Sequence, residues 1–301
     1  MARNKPRENI MKEISAALMS ISIAALGLLP FTPSPSSTAV QTGNYAPVTT
    51  EQAPSDYSVN APSAYIEDAR TRAVVFEKTP DEKRPIASLT KLMTVYLILR
   101  DKNLDDVVTI PKDVSTVQGG GSVVINLVPG DKMTARQLVR AALIPSANDA
   151  AITLAVWHSG SVNEFVAKMN DTARSLGMES TNFENPTGLD TVGHVSTAQD
   201  LALLTHYLLE NDFFRQTVNT ESATITSEKG RKYPLNTTNE LLLNAPSVRG
   251  VKTGYTQAAG ECLVTLSERE GREVITVVLG SSDRFGESRN MINLAFSLNY
   301  E

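Results

Sequence analysis

A single cysteine, Cys262, stands in 301 residues, so no internal disulfide can staple the fold. Set in "GECLVTL", it reads as a small apolar strand residue rather than a nucleophile. Histidine is nearly as scarce. His158, His194 and His206 form no H-E-x-x-H or Cys-His pattern, so no metal site is expected, and each reads as helix or loop surface. A phosphate-cradling loop is also missing, because "GGGS" at Gly119–Ser122 lacks the lysine that would follow; it reads as a turn at the rim of a cleft. No cofactor is implied. Nor is there an excess of positive charge: the formal net charge is −5. The first thirteen residues contribute Arg3, Lys5, Arg7 and Lys12 against Glu8 and Glu13, which leaves the rest of the chain at about −7 and argues against nucleic acid as a partner.

Apolar residues make up 41% and charged residues 20%, the balance of a soluble fold. One stretch departs from it. Ile14 to Leu29, "ISAALMSISIAALGLL", is uncharged, follows the basic segment and stops at Pro30, the pattern of an export signal. Its sixteen residues fall short of the roughly 20 that span a bilayer comfortably. Cleavage after Ala39 would use the small residues Ser37 and Ala39, but these lie ten residues beyond the apolar run, which favours an uncleaved anchor. Phe31 to Pro62 holds five prolines and ten Ser or Thr, too polar and proline-rich for a core. The expected organisation is a basic segment with an apolar signal or membrane anchor at 1–31, a linker at 32–62 and a folded domain at 63–301.

The folded part opens with two short strand-like runs in "SAYIEDARTRAVVFEKT", followed by the strand-like pieces "DVVTIP" and "SVVINLVPGD", the latter with a Pro129-Gly130 turn. Helical spacing follows over Thr134–Ile144, Ala150–His158, Val162–Leu176 and Thr197–Glu210, with Ser161 capping the third and Ser196 or Thr197 the last. Strands return in "VRGVKTGYT", "GECLVTLSE" and "REVITVVLGSS", before a helix at about Phe285–Phe296. The fold class is mixed, of the α+β type: an antiparallel sheet built from both ends of the chain, flanked by helices, with a mostly helical lobe inserted. The cleft between sheet and lobe is the expected place for chemistry.

Three short motifs carry that chemistry. In "RPIASLTKLMTVYLILR" the one charge between the terminal arginines is Lys91, in a helix apolar on nearly every face. Such a helix is buried, so its ammonium must be paired, neutral, or at the edge of a cavity. Ser88 lies three residues before it, on the same face. A serine hydroxyl attacks only when its proton is taken, and lysine can take it only with a lowered pKa, which burial and a second cation both supply. S-x-x-K alone is weak, since it recurs in many surface helices. Ser146-Ala147-Asn148 serves equally as helix punctuation or as a proton relay beside a substrate-binding amide. Lys252-Thr253-Gly254, followed by Tyr255, suits an edge strand guarded by lysine; it also suits a strand that pairs with an extended peptide while Lys and Thr meet a carboxylate.

In that order, about 58 and 106 residues apart, the motifs are those of penicillin-interacting acyl-transfer enzymes. With "IASLTKLMT", "PSANDAA", "NPTGLD", "STAQDLALL" and "VKTGYTQAAGECLV", the stretch from Ser63 to Phe296 closely resembles the serine D-alanyl-D-alanine carboxypeptidases, the low-molecular-weight penicillin-binding proteins of the β-lactamase/transpeptidase-like superfamily. The resemblance implies removal of the terminal D-alanine from peptidoglycan pentapeptides outside the cytoplasm, with β-lactams as inhibitors and the membrane reached through the N-terminal segment. It makes Ser88 the nucleophile, Lys91 its base and Ser146 the relay to the leaving D-alanine. Asn148 would hydrogen-bond the substrate and help position Lys91, while Lys252 and Thr253 would receive the carboxylate. The oxyanion would lie between the N–H groups of Ser88 and Tyr255, with Gly254 admitting the ligand.

The pattern departs from the family at "LGSSDRFGE". There Arg284 is either a carboxylate-holding arginine or simply a helix start. Rival readings are a DD-endopeptidase of the same family, a β-lactamase and a non-catalytic sensor of wall fragments. The commonest β-lactamases deacylate with a glutamate in E-x-x-L-N; Glu164, Glu179, Glu184 and Glu210 all fail that pattern, so slow release of penicillin is expected.

Overall fold

The computed structural model describes residues 53–54, 57–112, 114 and 123–298. The apolar segment Ile14–Leu29, most of the linker and Gly119–Ser122 lie outside the described residues. Among the described residues no helix is long and apolar enough to cross a membrane.

The first elements are strands β1 (Ser63–Asp68) and β2 (Val74–Lys78), then helix α1 (Lys91–Asp101) and strand β3 (Val107–Thr109). Strand β4 (Lys132–Thr134) pairs with β3 and leads into α2 (Ala135–Leu143), α3 (Asn148–Ser159), α4 (Val162–Ser175), α5 (Ala198–Leu209) and α6 (Asp212–Val218). A hairpin of β5 (Ser222–Thr226) and β6 (Lys232–Asn236), then α7 (Glu240–Asn244), precede β7 (Val248–Thr256), β8 (Gly260–Arg269), β9 (Arg272–Ser281) and α8 (Arg284–Ser297).

The sheet order is β2-β1-β9-β8-β7, and its pairs are antiparallel. The first strand of the folded part thus lies against the last, and β7 is an edge. Alternation along β1 and β9 sorts the two faces. Ala64, Ile66, Val274 and Val278 pack with Met291 and Ala295 of α8, whereas Tyr65, Ile275, Val277 and Leu279 join the core shared with α1, α2, α3 and α5. Helix α1 is buried through Lys91–Val95, Leu97 and Ile98, as its nearly unbroken apolar sequence requires. The caps are local: Thr134 forms a capping box with Gln137, and Ser161 and Thr197 accept from the backbone three residues on.

The structure corrects three expectations. Residues 123–128 of "SVVINLVPGD" are not a strand. The Asp149 carboxylate accepts the N–H groups of Ile125 and Leu127, taking the place of a ladder partner. Packing also begins upstream of Ser63: Val59 and Ala61 are buried, and the Glu287 carboxylate accepts the N–H groups of Asn60 and Ala61. Finally, the histidines are not surface residues. His194 is 3% exposed, the His158 side chain 2%, and His206 pairs with buried Glu67.

Candidate active site

Ser88 sits in a 3-10 turn, Ala87–Thr90, that runs directly into α1. The turn opens at Ala87 with φ of 48°, a left-handed backbone that a residue with a Cβ rarely adopts. Hydrogen bonds hold it there. Thr90 Oγ1 donates to the Ala87 carbonyl at 2.8 Å and lies 2.6 Å from His194 Nε2. Because His194 Nδ1 accepts the Glu184 N–H at 3.0 Å, the ring proton belongs on Nε2, which donates to Thr90. Burial lowers the His194 pKa to about 4, so the neutral ring that this chain of bonds needs is the stable form. Gly188 closes the back of the turn, where a Cβ would come 1.8 Å from the Ala87 carbonyl oxygen.

Lys91, the first residue of α1, is fully buried. Its Nζ lies 2.8 Å from Ser88 Oγ and donates to the Thr187 carbonyl at 2.8 Å. Its pKa falls well below the usual lysine value, chiefly because burial strips the charged form of water; the Lys252 charge adds to the drop and Asp149 opposes it. A neutral amine retains a lone pair, so it can accept the Ser88 proton while still donating to Thr187.

Between α2 and α3 the chain passes through Ser146 in a left-handed conformation, φ 68°. Lys252 Nζ donates to Ser146 Oγ and to the Thr253 carbonyl, each at 2.8 Å. Asn148, buried, begins α3. Lys252 is 1% exposed, and burial, then the charge of Arg284, lower its pKa to about 7. Along β7, Lys252, Thr253 and Gly254 are buried and Tyr255 is 58% exposed. A Cβ at Gly254 would lie 3.0 Å from the Ile86 carbonyl oxygen and 3.1 Å from Ser88 N. Glycine is thus what lets the strand pass against the Ser88 turn.

The three motifs therefore meet at one place. Lys91 touches Ser88, Ser88 abuts Gly254, and Lys252 reaches Ser146. Arg284 begins α8, the helix start weighed for it, and its Nη1 donates to the Gly254 carbonyl at 2.8 Å. Several contributors carried little signal of their own. Thr187 acts through a backbone carbonyl; its only trace was the word "NPTGLD", whose Asn185 side chain accepts the N–H groups of Thr187 and Gly188. Thr238, which hydrogen-bonds Thr253, and His194 had none. Among the described residues no group of three or more His, Cys, Asp or Glu side chains could hold a metal ion.

Comparison with known proteins identifies the family. Residues 48–283 match the family described as D-alanyl-D-alanine carboxypeptidase, peptidase S11. The chain is 34% identical over 285 residues to D-alanyl-D-alanine carboxypeptidase DacF of Bacillus subtilis, covering 92% of this chain and 70% of that protein. It is 36% identical over 251 residues to DacC of Escherichia coli, covering 79% and 62%. Among solved structures, the Streptomyces K15 DD-transpeptidase superposes with a TM-score of 0.75 at 31% identity, over 80% of this chain and 98% of that one. The antiparallel sheet, the inserted helical lobe and the sequence matches together show that the chain belongs to the D-alanyl-D-alanine carboxypeptidase family, peptidase S11.

Proposed function

We propose that Ser88 is the nucleophile with which this serine D-Ala-D-Ala carboxypeptidase removes the terminal D-alanine of peptidoglycan stem peptides. The observation that carries the assignment is the buried Lys91 amine 2.8 Å from Ser88 Oγ, with its pKa held down. Ser88 Oγ bonds to the carbonyl carbon of the penultimate D-alanine as its proton passes to Lys91 Nζ. The oxyanion is held by the N–H groups of Ser88 and Tyr255. Collapse breaks the C–N bond; the proton held by Lys91 passes through Ser146 to the leaving nitrogen, which returns Lys91 to its neutral form, and D-alanine departs. Water then attacks the ester, losing its proton to Lys91, and the carboxylic product leaves as Ser88 regains its hydrogen. Lys252 and Thr253 receive the terminal carboxylate, Asn148 binds the peptide backbone, and Arg284 keeps β7 in register through Gly254.

A β-lactam amide would open onto Ser88 by the same first step and deacylate slowly. The folded domain would work outside the cytoplasm, exported, and on our reading anchored, by Ile14–Leu29. Purified protein given an acylated tripeptide ending in D-Ala-D-Ala should release free D-alanine; no release would refute the reading. A second reading rests on relatives of similar likeness named D-alanyl-D-alanine endopeptidase, from Escherichia coli and Pseudomonas aeruginosa, at 34% and 35% identity. Cross-linked peptide dimers supplied in the same assay separate the two: faster cleavage of dimers than of monomers marks an endopeptidase.

A further inference from the structure

Between β6 and α7 the chain reads "NTTNE", Asn236–Glu240, and its backbone is held from both sides. The Thr237 N–H donates to the Glu221 carbonyl at 2.8 Å, and Thr237 Oγ1 accepts the Asn239 N–H at 3.2 Å. The buried Asn239 caps α7 by accepting the Leu241 N–H at 3.1 Å. Thr238, between these two anchors, is fixed independently of β7. Its Oγ1 nevertheless lies 2.5 Å from Thr253 Oγ1. Thr253 is 5% exposed, and its carbonyl accepts Lys252 Nζ at 2.8 Å.

A threonine hydroxyl has one proton to donate and two lone pairs that accept. In the empty site either of these two hydroxyls can be the donor. A carboxylate removes that choice, because an ionised carboxyl group only accepts. On the carboxypeptidase reading, on which the inference rests, Thr253 gives its one proton to the substrate, and the bond between the threonines then runs from Thr238 to Thr253. We propose that Thr238 is a positioning residue: it directs the Thr253 hydroxyl proton at the terminal carboxylate and so sets the preference for a free C-terminus over an amide. Hydrogen bonds in series polarise one another, so Thr253 is the stronger donor when Thr238 donates to it. A hydroxyl committed as donor matches an oxygen and opposes an N–H, and an amide carries N–H where the carboxylate carries its second oxygen.

The test compares kcat/KM for two acetylated tripeptides that differ only in ending as the carboxylate or the carboxamide of D-Ala-D-Ala, read by release of D-alanine or D-alaninamide. In Thr238→Val, which keeps the shape and loses the proton, release from the carboxylate peptide should fall by roughly 5-fold, the worth of one neutral hydrogen bond. Release from the carboxamide should fall far less, so the ratio of the two drops. Thr238→Ser should restore that ratio. In a Thr253→Val background, Thr238→Val should add no further loss, because its effect travels through that hydroxyl. Equal losses on both peptides, no rescue by serine, or a further loss in the Thr253→Val background would overturn the role of Thr238; D-alanine release by the unaltered protein would leave the carboxypeptidase assignment intact. Release of D-alanine from neither the variants nor the unaltered protein would overturn both.

Discussion

Lys91 at the first turn of α1 and Lys252 in the middle of β7 are both withdrawn from water, with 0% and 1% of their surface exposed, yet their surroundings prepare them for opposite tasks. Lys91 sits inside an apolar helix with one hydroxyl and one carbonyl as partners, and its charge is further disfavoured by Lys252. Lys252 lies in a strand at the cleft, is perturbed in turn by Arg284 and keeps a pKa of about 7. On the roles proposed, cations arranged in this order suit the outer amine to meeting a carboxylate and the inner one to acting as a base. The same residue type thus yields two chemistries through depth and sequence of neighbours rather than through different side chains.

The largest effect expected is at Ser88, the proposed nucleophile. Ser88→Ala should lower D-alanine release by at least about 10⁴-fold with an unchanged circular dichroism spectrum; retained turnover would remove Ser88 from the reaction. Lys91→Met, which keeps the volume but not the lone pair, should cost about 10³-fold or more in acylation rate. Acylation at the original rate would show that another base serves. Lys252→Ala should cost about 10²-fold in kcat/KM, the worth of a charge-assisted hydrogen bond, and only for substrates that carry the terminal carboxylate. An equal loss with carboxamide substrates would contradict that role.

The pH dependence sharpens the contrast. Lys91 must be neutral, so acylation fails as pH falls and the amine takes up a proton. Lys252 must be charged, so recognition of the carboxylate by the empty enzyme weakens as pH rises through about 7. Removing Lys252 relieves Lys91 of a neighbouring cation and raises its pKa; the acid limb of penicillin acylation in Lys252→Met should therefore move to higher pH. A limb that stays in place would deny the coupling. The smallest effect is at His194. Its pKa is lowered on folding to about 4, so the unfolded chain binds more protons between about pH 6.5 and 4, and stability drains away as pH falls through that window. His194→Gln should show a shallower loss of Tm over the same range, as read by calorimetry.

Much of the fold was legible because periodicity and caps are local. Val162–Leu176 and Thr197–Glu210 end within a residue of the observed helices α4 and α5, since Ser161, Thr197 and the apolar spacing act within one turn of themselves. The segment from Asp212 to Asn244 carries little periodic signal, because α6 and α7 are short and the β5–β6 hairpin alternates polar residues with only Ile225, Tyr233 and Leu235 buried. Residues 123–128 misled for a related reason: "VVINLV" has strand composition, but its backbone partner is a side chain twenty-odd residues away. In the site, residues that act through side chains announced themselves as motifs. Thr187, which acts through a carbonyl, and His194, which acts through Thr90 on Ala87, could be found only once the chain was folded.

The direct test of the shared site is to treat the protein with a labelled penicillin, digest it and map the adduct by mass spectrometry. A single acyl adduct is expected on the peptide containing Ser88, lost in Lys91→Met; an adduct on Ser146, or none on either serine, would contradict the assignment of Ser88 as nucleophile.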